Sequence, residues 1–188
     1  MGLPFGAPSW EALEEVVPEA CRRAGASLSE FAQDPVEVLE SDVREVPWAE
    51  LAALVEPDLG GELVAAVLEV QGDDRGAVSL LFSRGSAENL AGLMMGQDEP
   101  WPLDEMALSA LGEVGNITAT AFLNVVADAF GVRLLPSTPR VVDTSVPGLL
   151  DRLVPAFARN GHRALVVRTA FRLGRRSIDG YLLLISSA

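Results

Sequence analysis

Residues 102–132 read PLDEMALSALGEVGNITATAFLNVVADAFGV, a pattern that predicts one long helix. Pro102 stands near the first turn, and the carboxylates of Asp104 and Glu105 complement the positive end of the helix dipole. Gly131 follows the last helical residues and can adopt the left-handed conformation that ends a helix. The remaining elements are predicted to be arranged around this central helix.

The central helix has an apolar face and a polar face. At about 100° per residue, one stripe is mostly apolar and is expected to face the core. Its members are Leu111, Val114, Thr118, Phe122, Val125 and Ala129. A second stripe, on the opposite side, consists of Ser109, Glu113, Asn116 and Thr120, flanked by the apolar Met106 and Ile117. This exposed strip is suited to a protein partner, although an ordinary solvated helix face can carry the same residue types by chance.

Three residues of the polar stripe belong to a longer pattern. Ser109, Glu113 and Asn116 are separated by three and two residues, and twenty-two further residues lead to Pro139. This spacing resembles the Asp/Ser-x3-Glu-x2-Asn-x22-Pro signature of the CheC/CheX/FliY phosphatases. The segment SALGEVGNITATAF also resembles the active-site helix of CheC. The resemblance extends more loosely over most of the chain.

The resemblance implies a phosphatase that acts on the phosphorylated receiver domain of a response regulator of the CheY type, in chemotaxis or a related two-component pathway. It implies that Asn116 orients the attacking water and that Glu113 docks the receiver, so these two residues are the predicted catalytic pair. Ser109 is expected to support the partner contact, and Pro139 is expected to have a structural role. No cofactor or metal of the chain's own is expected, because the receiver supplies the Mg²⁺.

Two other functions stay open on the sequence. A non-catalytic adaptor of the CheC or FliM type would bind a response regulator, or the receptor deamidase CheD, without hydrolysing phosphate. Glu113 and Asn116 favour the enzyme, because such adaptors often lack this pair. A small-molecule hydrolase is poorly supported, because the chain has no Gly-x-Ser-x-Gly elbow and His162 is its single histidine.

Composition excludes several classes of function. The chain of 188 residues has a net charge of −13, and its 14 basic residues, all Arg, form no long run, which argues against nucleic acid. Without Lys, a Walker-type P-loop and Schiff-base catalysis are excluded. One cysteine, Cys21, and one histidine, His162, cannot form an internal disulfide or an ordinary zinc site. His162 follows the turn-like Asn160-Gly161 and is expected to be structural or exposed.

No signal peptide is expected, and no apolar run approaches the length of about 18 residues that would cross a bilayer. The charged start and apolar core of a signal peptide are missing from the first ten residues, MGLPFGAPSW. The protein is therefore expected to be cytoplasmic and not bound to a membrane.

The elements around the central helix repeat in the same order. The pair Val46-Pro47 matches Val146-Pro147, and VSLLFS matches YLLLIS, at offsets of about 100 and 103 residues. Each half reads helix, strand, helix, strand, strand, with half-repeats at about 9–97 and 102–188. The predicted fold is α+β: one domain over residues 1–188, in which a pseudo-twofold tandem repeat shares one β-sheet with two long helices on one face. All helices are expected on that face.

The first helix of the repeat is predicted to begin after Ser9, to be kinked by Pro18 and to end at Gly25. It contains no asparagine, since the four asparagines of the chain are Asn89, Asn116, Asn124 and Asn160. Glu11, Glu15 and Pro18 stand at the place that corresponds to the catalytic stripe. The sequence therefore predicts a single active site, in the second half.

Overall fold

A computed structural model describes residue 5 and residues 7–157, 163–173 and 176–186; the side chains of residues 39–41, 154–157, 163, 176, 177 and 186 are not described. His162 lies outside these ranges. The helices are α1 (Trp10–Ala32), α2 (Leu51–Leu59), α3 (Arg84–Met94), α4 (Glu105–Phe130) and α5 (Val146–Phe157). The strands are β1 (Val36–Pro47), β2 (Leu63–Gly72), β3 (Gly76–Ser83), β4 (Leu134–Pro136), β5 (Arg140–Thr144), β6 (Arg163–Leu173) and β7 (Arg176–Ser186). A short 3-10 helix, Trp48–Glu50, precedes α2.

All seven strands form one sheet in the order β1-β6-β7-β3-β2-β4, and β5 also pairs with β2. Every pairing is antiparallel, and β3 and β7 meet at the centre. β1 from the first half pairs with β6 of the second, and β5 from the second half pairs with β2 of the first. The two halves thus exchange an edge strand, which confirms the predicted α+β repeat with a shared sheet. The half-repeat boundaries stay a prediction.

The two long helices, α1 and α4, pack against each other and against one face of the sheet, as predicted. The prediction that all helices lie on this face is wrong, because α2 and α5 cover the opposite face. Their buried side chains form a second core with that face: Leu51, Val55, Leu59, Val146, Leu149 and Leu153. The physical reason lies in the central strands, since β3 is buried at seven consecutive positions and both of its faces must be covered.

Helix α1 is longer than predicted. Ser9 caps it, accepting a hydrogen bond of 3.0 Å at its hydroxyl oxygen from the Ala12 N–H. The helix continues through Pro18 and Gly25, so the predicted end at Gly25 is wrong. Gly25 serves close packing instead, because a Cβ at this position would lie 2.8 Å from Cγ2 of Val38 in β1.

Helix α4 buries a broader face than the predicted stripe. Leu111, Val114, Thr118 and Phe122 are buried as expected, but Val125 is only half-buried and Ala129 is exposed. Further buried positions include Leu123 and Val126. Among the described helices, α4 alone is long and apolar enough to cross a membrane by length and composition, and half of its apolar 18-residue stretch is buried within the protein. Packing against α1 and the sheet accounts for this apolar character.

Candidate active site

Local capping fixes both ends of α4. Asp104 is the N-cap, and its Oδ1 accepts a hydrogen bond of 2.9 Å from the Ala107 N–H. This bond holds the pKa of the Asp104 carboxyl below its usual value. Pro102 lies outside the helix, so its predicted place in the first turn is wrong. The predicted end is confirmed, since Gly131 has a left-handed φ of 65°.

A surface groove of about 620 Å³ runs between α4 and the chain that follows it. Its helix wall is formed by Leu108, Ser109, Gly112, Glu113 and Asn116. The opposite side is formed by Pro136, Ser137, Thr138, Pro139 and Val141. All four residues of the sequence pattern, including Pro139, therefore line one groove. Met106, Ile117 and Thr120 are not among its lining residues.

Glu113 and Asn116 are accessible from the groove. Glu113 is exposed, and Asn116, one turn further along α4, is half-buried. Within the described ranges, neither side chain takes part in a hydrogen bond or an ion pair. Both groups are thus available to an incoming molecule. Of the other residues predicted to contact a partner, Ser109 and Met106 are exposed, and Ile117 and Thr120 are half-buried.

Two glycines bring the part of α4 that carries Glu113 and Asn116 close to the sheet. A Cβ at Gly115 would lie only 2.6 Å from Cβ of Ala66 in β2, and a Cβ at Gly112 would lie 3.3 Å from Cγ2 of Val141 in β5. Ala66 and Val141 are themselves paired across β2 and β5. The close approach places Glu113 and Asn116 beside the sheet edge. This role of the glycines was not predicted from the sequence.

The connection between α4 and β5 is tied to β2 and the turn after it. The Asp73 N–H donates to the Arg133 carbonyl (2.9 Å), and the Asp73 carboxylate accepts from the Arg133 N–H (2.8 Å). Further along, the Ser137 N–H donates to the Glu69 carbonyl (2.7 Å), and the Ser137 hydroxyl accepts from the Glu69 N–H (3.0 Å). These bonds fix the connection at two points.

Residues 137–139 form a bulge against β2. Pro136 pairs with Val70 and Arg140 pairs with Val67, so three residues on one strand face two on the other. The Ser137 hydroxyl takes the place of a backbone acceptor within this bulge. Bulges of this kind redirect side chains at sheet edges. This one turns the chain at residues 137–139 toward α4, where it forms the second side of the groove.

The corresponding place in the first half differs in sequence and in the length of the connection that follows the helix. Each of the seven buried residues of α1 has a buried counterpart in α4 at an offset of 98, from Leu13 with Leu111 to Leu28 with Val126. The same offset places Glu11, Glu15 and Pro18 opposite Ser109, Glu113 and Asn116. Between α1 and β1 only residues 33–35 intervene, whereas residues 131–139 lie between α4 and β5. The first half therefore has neither the carboxamide nor a connection long enough for a second wall.

A second cavity, of about 140 Å³, lies on the opposite face of the sheet. Its charged side chains are paired with one another: Arg168 lies 3.2 Å from Asp58, and Arg44 lies 2.8 Å from Asp42. The Tyr181 hydroxyl donates to Asp58, and burial together with this bond raises the pKa of Tyr181 to about 12. In the described part of the chain, no cluster of three His, Cys, Asp or Glu side chains could hold a metal ion.

Known proteins resemble this chain in sequence and in fold. The family model described as "Chemotaxis phosphatase CheX" matches residues 64–148. The "CheY-P phosphatase CheC" of Bacillus subtilis is 31% identical over 157 residues, which cover 78% of this chain and 73% of that protein.

Solved structures share the fold at lower identity. FliY of Thermotoga maritima has a TM-score of 0.75 at 22% identity, covering 95% of this chain and 91% of its own. The FliM middle domain from H. pylori has a TM-score of 0.66 at 12% identity, covering 95% and 93%. CheX in a CheX-CheY-BeF3-Mg complex from Borrelia burgdorferi has a TM-score of 0.59 at 17% identity, covering 92% and 98%. These structures show the shared fold. The CheC relative, together with the family model, shows that the chain belongs to the CheC/CheX/FliY family of chemotaxis CheY-P phosphatases.

Proposed function

We propose that this protein dephosphorylates the receiver domain of a CheY-like response regulator, and that Glu113 and Asn116 carry out its part of the reaction. The observation that carries the proposal is the groove, which collects Ser109, Glu113, Asn116 and Pro139 although Pro139 lies far along the chain. The relative named a CheY-P phosphatase and the CheX–CheY complex support the choice of substrate.

The reaction needs little from the protein beyond an oriented water. In an aspartyl phosphate, the water oxygen attacks phosphorus and the bond from phosphorus to the aspartyl oxygen breaks. The products are the free carboxylate and inorganic phosphate, which keeps both protons of the water. The receiver brings the Mg²⁺ and the basic groups that balance the charge on the phosphoryl oxygens.

Asn116 has the chemistry to hold that water. Its carboxamide can donate one hydrogen bond and accept another, and it has no competing partner in the described chain. Because Asn116 faces the groove between α4 and the bulge, its carboxamide can hold a water there in line with the bond that breaks. Glu113, one turn away and exposed, is assigned to the docking of a receiver Lys. Action on a receiver also implies the cytoplasmic location expected from the sequence.

The decisive experiment is a phosphatase assay. The purified protein is incubated with phosphorylated CheY, and the loss of acyl phosphate is followed against spontaneous hydrolysis. Acceleration by the parent protein supports the proposal, and its absence contradicts it. An adaptor that binds a receiver, or CheD, without hydrolysis is the second candidate, because the FliM middle domain has the same fold. Binding of CheY without acceleration is the result that would favour it.

Glu113→Ala is expected to weaken receiver binding about 5- to 10-fold at low salt, equivalent to about 1 to 1.4 kcal/mol. The difference should shrink as salt is raised, because an exposed ion pair is screened over a Debye length of about 8 to 10 Å. Binding is measured by titration with CheY at low and high salt. Asp128→Ala is the matched control, since it removes one exposed carboxylate of α4 outside the groove. An equal loss in both variants would contradict a specific docking role.

Glu15→Ala is expected to leave phosphatase activity within about twofold of the parent. Glu15 is the first-half counterpart of Glu113, but Pro18 stands at the position that corresponds to Asn116, and only residues 33–35 connect α1 to β1. The same holds for Glu11→Ala. The dephosphorylation rates of these variants are compared with that of Glu113→Ala. A large loss of activity in a folded Glu15 or Glu11 variant would reveal a second active site in the first half.

A further inference from the structure

We propose that the bulge at residues 137–139 is a second docking wall, and that Thr138 on it contacts the phosphorylated receiver together with the helix wall. The inference rests on the proposed function and adds to it a contact surface outside the catalytic helix. Nothing in the spacing of the Ser-Glu-Asn-Pro pattern points to Ser137 or Thr138.

A receiver that brings its phosphoryl group to Asn116 must also contact the bulge. Asn116 is half-buried, and it lies in a groove with α4 on one side and residues 136–139 on the other. A phosphoryl group that reaches the water held by Asn116 must therefore enter between the two sides. The receiver segment that carries the phosphoryl group is then in contact with both walls.

The bulge is built to keep its shape. The backbone and the hydroxyl of Ser137 each bond to Glu69, and the hydroxyl also donates to the Thr138 carbonyl at 3.1 Å. Ser137 is thus a positioning residue that presents the exposed side chain of Thr138 to the groove. A wall fixed in advance loses little conformational freedom when a partner binds, which favours affinity.

The two walls differ in charge, and this difference indicates the chemistry of the occupant. The helix wall carries the carboxylate of Glu113, whereas the side chains of residues 136–139 are uncharged. The two walls are complementary to a receiver in two ways. A basic side chain of the receiver can pair with Glu113, and its phosphoryl-bearing loop can lie against Ser137 and Thr138. The contribution of the second wall to receiver affinity should therefore depend only weakly on salt concentration.

The test introduces bulk into the second wall. Thr138→Trp is expected to raise the Kd for CheY loaded with Mg²⁺ and beryllium trifluoride at least tenfold, and to raise KM for phosphorylated CheY similarly. The kcat at saturating CheY should stay within about twofold, because Asn116 is unchanged. Asp34→Trp is the control, since Asp34 is exposed and precedes Pro35 at the start of β1 as Thr138 precedes Pro139. Its Kd should stay within twofold, and Thr138→Leu repeats the test if the Trp variant fails to fold.

The outcomes separate this inference from the proposed function. If Thr138→Trp binds and hydrolyses like the parent while Asn116→Ala is inactive, the second wall is wrong and the phosphatase stands. If the parent binds CheY without hydrolysis and Thr138→Trp binds at least tenfold more weakly, the second wall stands and the phosphatase fails. If the parent is a dimer that Thr138→Trp dissociates, the groove holds a second copy of this chain and the proposed wall is overturned.

Discussion

Asn116→Ala is expected to lower the rate of CheY-P dephosphorylation by a factor on the order of 10² or more, equivalent to about 2.7 kcal/mol of transition-state stabilisation. Alanine can neither donate to nor accept from the attacking water, so the groove loses the group that orients it. Receiver affinity should be retained, because the docking contacts on Glu113 and the bulge remain. The loss should therefore appear in kcat and not in the Kd for the receiver.

The same substitution elsewhere on α4 provides the control for Asn116→Ala. Asn124 is exposed and lies outside the groove, so Asn124→Ala should hydrolyse CheY-P at the parent rate. The free energy of unfolding of both variants should lie within about 0.5 kcal/mol of that of the parent, because neither side chain is in the core. If Asn116→Ala hydrolyses CheY-P as fast as the parent, the carboxamide mechanism is wrong for this chain and the adaptor becomes the better function.

The features of the fold that depend on local sequence patterns could be predicted. The central helix, its end at Gly131 and the order of elements in each half follow from periodicity and from helix-ending residues. The short β4 was missed, because its three residues LLP carry no alternating pattern. The second helix layer was missed although successive residues of a strand point to opposite faces, so that the continuous burial of β3 requires a cover on both of them.

Only those residues of the candidate site that belong to a sequence pattern could be predicted. Glu113, Asn116 and Pro139 could be found because their spacing is a property of the sequence. Ser137 and Thr138 could not, because their roles depend on Glu69, which is remote in sequence and adjacent only in the fold. For the glycines there was a usable signal: two glycines three residues apart inside a long helix weaken it, and are retained where another element approaches closely.

Gly115→Val is expected to destabilise the protein by about 2 to 3 kcal/mol, a typical cost of overpacking. Cβ of this residue would fall 2.6 Å from Cβ of Ala66, which is attached directly to the β2 backbone and cannot rotate away. The helix must then move off the sheet, and Asn116 moves with it. We therefore expect kcat for CheY-P to fall as well. The free energy of unfolding is measured by urea titration of parent and variant.

A matched glycine and a compensating substitution make the steric explanation testable. Gly85, in α3, has open space where its Cβ would lie, so Gly85→Val should change stability by no more than about 0.5 kcal/mol. Removing the opposing methyl with Ala66→Gly should destabilise the parent but cost less in the Gly115→Val background, with a coupling energy of about 1 kcal/mol or more. If the two substitutions are additive, the contact between α4 and β2 does not limit the approach of the helix. In that case a contact other than that of Gly115 with Ala66 would hold Asn116 beside the bulge.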